Sequence, residues 1–150
     1  MGADRFDEVW EGVYHMVPGP SHPHARLEAQ LTRLLGPPAD AAALEITGQF
    51  NLGESPEDFR VPDAGLHRQG AGGMWHTTAA LVIEIVSPED KCWQKLAFYA
   101  KHHVDEILIV DPSERTIHWL ALVDGEYRDA RRSGLIDLGP GELAEYLDWS

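Results

Sequence analysis

Cysteine is almost missing from the sequence, with Cys92 alone among 150 residues. A single thiol closes no internal disulfide, so the chain reads as one suited to a reducing compartment, and a cytoplasmic protein is expected. Lysine is scarce as well, at Lys91, Lys95 and Lys101, and 25 acidic against 12 basic side chains give a formal net charge of −13. Duplex DNA carries about one negative charge per 1.7 Å of axis, and non-specific binding draws on a basic face that this composition does not supply. The excess acid keeps the surface dispersed. It also implies that free nucleic acid is not held tightly without a metal, or is not the ligand. Long apolar runs are absent: the longest is residues 79–86, far short of the roughly 20 residues of a membrane-spanning helix. The first residues, MGADRFDEVWEG, lack an apolar signal segment. No membrane partner is expected.

What is present fits a globular chain, with 43% hydrophobic and 25% charged residues. There is no internal repeat or linker, and 150 residues suit one domain over 1–150. Residues 10–17 read as a strand closed by Pro18-Gly19-Pro20. Ser21 offers an N-cap, and Ala25, Leu27, Leu31, Leu34 and Leu35 recur at helical spacing until Gly36-Pro37-Pro38 stops the helix. Residues 43–52 look like a second strand, followed by the polar loop GESPED, and 59–66 like a third with Pro62 in an irregular or edge position. Gly70-Ala71-Gly72-Gly73 lacks the ending of a phosphate-cradling loop and reads as a flexible loop. The run 79–86 has the pattern of a strand covered on both faces. A helix over 91–103, with Trp93, Leu96, Ala97 and Ala100 on its packing side, leads to a strand at 106–110, which suggests a crossover unit with partly parallel pairing. A hairpin around Asp124-Gly125, a short strand at 135–138 and a helix over 141–147 complete the α/β pattern.

Glu84 is the most informative residue. A carboxylate inside ALVIEIV belongs to a buried strand, where an unpaired charge costs several kcal/mol, so a partner must compensate it. Asp63 follows Pro62 at the end of the preceding strand. Pro-Asp alone is an ordinary turn dipeptide, but two neighbouring strands could present Asp63 and Glu84 at the same end of the sheet. Such a pair, with a main-chain carbonyl and water, suits a hard cation such as Mg²⁺, which removes their mutual repulsion and can polarise a phosphoryl oxygen. His22, His24, His102 and His103 with a single cysteine do not make a structural zinc set. Cys92 reads as a plain thiol. The five tryptophans are spread along the chain and suit packing better than base stacking.

The segments Val61-Pro62-Asp63, Glu84-Ile85-Val86-Ser87-Pro88, Lys95-Leu96-Ala97-Phe98-Tyr99 and Val110-Asp111-Pro112, in that order and spacing, resemble the Uma family of putative restriction endonucleases, of the PD-(D/E)XK phosphodiesterase superfamily. Upstream, Glu8-Val9 with Glu11-Gly12, and Pro18 with Ser21 and His24, extend the likeness over a core of about 7–147. The resemblance implies a restriction-endonuclease-like fold: a mixed β-sheet flanked by helices, with a C-terminal hairpin and the acids on central strands. It implies Asp63, Glu84 and Lys95 as catalytic residues, with Asp63 and Glu84 binding Mg²⁺ or Mn²⁺. The superfamily's acid-x-lysine pattern puts both residues on one face of a strand, yet position 86 here is valine. In this family the lysine comes from the following helix, where Lys95 stands, and it would steady the attacking hydroxide or the phosphoryl charge. Tyr99, one helical turn on, either bonds into the site or is a core aromatic with its hydroxyl at the rim. His24 either touches phosphate or a carboxylate of the site, or is a helix-start residue satisfied by local backbone, and Glu8 is a further candidate. The resulting expectation is a metal-dependent endonuclease acting on nucleic acid. A catalytically inactive interaction module on the same scaffold, and a metal-dependent hydrolase of a small phosphorylated substrate, stand beside it. Superfamily analogy suggests a homodimer, and the hairpin near Trp119 suggests its face.

Overall fold

The computed structural model describes residues 7–16, 21–88 and 91–150. In the first hairpin, β1 (Glu8–Trp10) pairs with β2 (Val13–His15). The expected strand over 10–17 is therefore two strands, reversed at Glu11 and Gly12, whose φ values of 49° and 84° make a tight turn. The proline turn at 18–20 lies outside the described residues. Helix α1 (His22–Ala41) starts on Ser21, whose hydroxyl accepts the His24 N–H. It runs through Pro37 and Pro38 rather than stopping at them. Two adjacent prolines remove two backbone donors, but they fall in the last turns, and Leu35 and Ala39, both fully buried, hold that end against the sheet.

Strand β3 (Leu44–Thr47) and β4 (Leu52–Ser55) lie in different sheets, as do β5 (Asp58–Arg60) and β6 (Ala64–Arg68). Each expected strand, 43–52 and 59–66, thus divides where the chain passes between sheets, and GESPED is the β4–β5 hairpin rather than a plain loop. Pro62, without an N–H to give a ladder, stands at the second crossing. Strand β7 (Leu81–Ile85), the helix α2 (Leu96–Lys101) and β8 (Glu106–Asp111) form the expected crossover, with β7 and β8 parallel. Then come β9 (Thr116–Val123), β10 (Glu126–Asp129) and α3 (Pro140–Tyr146). Residues 135–138 form no strand; the Ser133 hydroxyl and the Glu106 carboxylate fasten this stretch instead.

The expected mixed sheet with its C-terminal hairpin is present, six-stranded among the described residues in the order β10-β9-β8-β7-β6-β3, and beside it stands an antiparallel four-stranded sheet in the order β2-β1-β5-β4. Alternation along β7 and β8 sorts the core into two layers. Leu81, Ile83, Ile85, Leu108 and Val110 pack with Leu27, Leu31 and Leu35 of α1. Val82, Ile107 and Ile109 pack with Phe98 and Tyr99 of α2. Cys92 is buried in this second layer. Arg60 links the smaller sheet to α2, its guanidinium lying 4.4 Å from the Trp10 ring and 4.0 Å from the Phe98 ring. The indole of Trp119 is buried and donates to Glu106 at 2.8 Å, so it is core and not a face for a partner. Among the described residues no helix is long and apolar enough to cross a membrane.

Candidate active site

Glu84 is the even-numbered residue next to Val82, so its side chain leaves β7 on the α2 side, and it is only 3% exposed. Its compensation comes from the next helix. A 3-10 turn over Cys92–Lys95 leads straight into α2, so that Cys92, Lys95, Phe98 and Tyr99 face inward. Of the expected packing side, Leu96 does pack against the core and Ala100 is half-buried, but Trp93, 50% exposed, and Ala97 face outward. The tighter turn rotates the residues before α2 away from a continuous α-helical frame.

Lys95 Nζ lies 2.7 Å from Glu84 Oε1 and 2.5 Å from Glu8 Oε2. The Tyr99 hydroxyl donates to the same Glu84 oxygen at 2.5 Å. Glu8 is fully engaged, accepting the Val61 N–H on Oε2 and the Trp10 indole N–H on Oε1. Two carboxylates therefore hold one buried ammonium between them, and the phenol completes the clasp. Burial disfavours the lysine charge, but Glu84 and Glu8 outweigh it and keep the group above its ordinary range. Burial, with the Asp63 and Glu8 charges, raises Glu84 above the usual carboxylate range despite Lys95. Burial and the same carboxylates hold the Tyr99 hydroxyl firmly protonated.

Asp63 stands at the entrance of β6, and its Oδ2 accepts the N–H of Ile85, the residue after Glu84. This bond, together with Asp63 N–H to Ile83 O, fastens the carboxylate to the end of β7. Its Oδ1 lies 3.1 Å from His24 Nε2. Glu28, one turn along α1, completes a second cluster: one ligand atom each from His24, Glu28 and Asp63 all lie within 4.8 Å of one another. Burial and the neighbouring Asp63 charge raise Glu28 above its usual range, with His24 opposing. A nitrogen donor and two carboxylates at this spacing fit a divalent cation.

The structure thus brings Glu84, Lys95, Tyr99 and Glu8 into direct contact, with Asp63 and His24 adjoining through the backbone of β7. Tyr99 is both of the alternatives read from the sequence, a core aromatic whose hydroxyl enters the site. Sequence reasoning missed Glu28. Its only signal was the four-residue spacing from His24, which puts both on one helical face.

Residues 3–144 match the family model of Uma2, described as a putative restriction endonuclease. The chain is similar to the crystal structure of a putative nuclease belonging to DUF820 from Anabaena variabilis. It is 17% identical, covers 93% of this chain and 90% of that one, and has a TM-score of 0.70. At that identity the likeness is one of fold. No curated protein gives a match.

Proposed function

Because the chain belongs to the Uma2 family, we propose that it is a metal-dependent phosphodiesterase that cleaves nucleic acid, with Asp63, Glu84 and Lys95 as its working residues. The observation that carries this reading is the contact of Lys95 with Glu84 on β7, with the Asp63 carboxylate bonded to the backbone N–H of the next residue, Ile85. Asp63 is the carboxylate best placed for Mg²⁺ or Mn²⁺, since its side chain is 14% exposed against 5% for Glu84. Glu84 is the second carboxylate, and both of its bonds to Lys95 and Tyr99 end on Oε1. A bound divalent ion would supply positive charge that polarises a phosphoryl oxygen.

The chain's own residues do the rest. An ammonium group has three donors, and two of those of Lys95 end on Glu8 and Glu84. The third is left for the attacking water or the phosphoryl oxygen, and the positive charge offsets part of the carboxylate field that would repel a phosphodiester. Water then adds to phosphorus as the ester oxygen leaves. Glu8 and Tyr99 position Lys95 and Glu84, and His24 positions Asp63. We extend the reading to a homodimer, with the exposed Val13 and Tyr14 of the edge strand β2 as the face that suits it.

Cleavage of labelled single-stranded DNA, duplex DNA and RNA in Mn²⁺ or Mg²⁺ tests the proposal. Wild type is expected to cut at least one of them, and Asp63→Asn to lose about a hundredfold or more of that rate. Equal rates for the two proteins, or no cutting in either metal, would remove the phosphodiesterase reading. The −13 charge and the apolar Val86 favour a second reading, a non-catalytic interaction module. Binding of a nucleic acid without turnover would support that one. The same charge suits a small phosphorylated substrate, and release of phosphate from a nucleotide but not from a polymer would point there.

A further inference from the structure

We propose that the metal site is completed by His24 and Glu28 of α1 together with Asp63, and that its nitrogen ligand makes it select Mn²⁺ over Mg²⁺. This rests on the metal-dependent reading above and names the ligands and ion of that same site. His24 and Glu28 are one turn apart on α1 and Asp63 is 39 residues away, yet the three ligand atoms lie within 4.8 Å of one another. Two of the three are fixed by backbone bonds. The His24 backbone caps on Ser21, which fixes the first turn, and Asp63 spends Oδ2 on Ile85, which leaves Oδ1 at 3.1 Å from the imidazole. Two ligands about 2.1 Å from one cation and roughly at right angles to each other are about 3 Å apart, the separation seen here.

Partial shielding points the same way. The side chains of His24 and Asp63 are 15% and 14% exposed, low enough to hold an ion and open enough to admit one. Glu28 and Asp63 crowd two carboxylates together, whereas the nearby ammonium of Lys95 is given to Glu8 and Glu84. A cation in the α1 cluster would relieve that crowding. Mg²⁺ strongly prefers oxygen donors and keeps its waters. An imidazole nitrogen tilts the set towards a first-row transition ion.

The experiment uses the ions alone. Calorimetry with Mn²⁺ and Mg²⁺ on wild type, His24→Gln, Glu28→Gln and Asp63→Asn is paired with electron spin-echo spectroscopy of bound Mn²⁺, which reports a directly bound imidazole nitrogen. Wild type is expected to bind Mn²⁺ about tenfold or more tightly than Mg²⁺ and to show the nitrogen coupling. Glu28→Gln is expected to weaken Mn²⁺ by about tenfold or more, and His24→Gln to erase both the coupling and most of the preference. Bound Mn²⁺ without nitrogen coupling in wild type would overturn the inference whatever the variants do, as would unchanged Mn²⁺ affinity in both α1 variants. Cleavage assays on the same samples keep the two readings apart. Nitrogen-coupled Mn²⁺ without cleavage retains this site and sinks the nuclease, while metal-dependent cleavage without coupling does the reverse.

Discussion

The clasp of Glu8, Lys95, Glu84 and Tyr99 and the rim of His24, Glu28 and Asp63 are neighbours built from similar groups, yet they handle charge in opposite ways. In the clasp two carboxylates share an ammonium that is only 5% exposed, and the two bonds that hold it are internal. In the rim two carboxylates and an imidazole each put one atom within 4.8 Å of the others, and burial together with the Asp63 charge raises Glu28 above its usual range. One region carries its own ammonium, whereas among the described residues the other sets two carboxylates beside a single imidazole. A buried ion pair is costly to assemble and more costly to break, so the clasp is read as a fixed scaffold. The rim is the part whose charge balance a bound ion would change.

Removing the clasp's cation is the strongest way to test that difference. Lys95→Met leaves Glu8 and Glu84 buried without their shared partner, and denaturant unfolding is expected to show a loss of about 3–5 kcal/mol. Adding Glu84→Gln to that variant is expected to return part of the loss. A Lys95→Met protein as stable as wild type would mean that solvent reaches the clasp and that the two regions are alike. Tyr99→Phe probes the same region more gently. It removes a buried donor from a carboxylate oxygen that Lys95 still satisfies, so a loss of about 1.5–3 kcal/mol is expected from the same measurement. An unchanged midpoint would make the phenol a packing residue only.

The contrast between the regions also explains which parts were legible in the sequence. Glu84 stood out because a charge in an apolar run is an anomaly that demands a partner, and the partner proved to be Lys95. Lys95 itself carried no such signal; valine at position 86 diverts the strand pattern, and only the resemblance pointed to the helix. Glu28 was hidden for a different reason: an acid on the polar side of an amphipathic helix is what solvation alone would put there. In the fold, β7 and β8 were readable from their apolar runs. Apolar content does not say which sheet a segment joins, however, so β3 with β4, and β5 with β6, merged into single expected strands. Pro37 and Pro38 misled because the local cost of proline is visible in sequence, while the burial of Leu35 and Ala39 that offsets it is a tertiary fact.

The smallest expected effect distinguishes the rim from the clasp by its sign. In metal-free buffer at pH 7, Glu28→Gln removes one of two crowded carboxylates, and stability is expected to rise by about 0.5 kcal/mol, on the scale of a partly exposed charge pair. The pH dependence follows from the raised Glu28 value. The native state holds this proton more tightly than the unfolded chain, so below about pH 4.5 the wild-type glutamate is neutral in both states and costs nothing. As pH rises through the elevated native value, the native carboxylate must ionise beside Asp63, and wild type loses stability that glutamine does not. The gain from Glu28→Gln is therefore expected to appear between about pH 4.5 and 7 and to vanish on acidification. A loss at pH 7 instead would mean that Glu28 already has a compensating partner, and that the rim, like the clasp, is complete without an added cation.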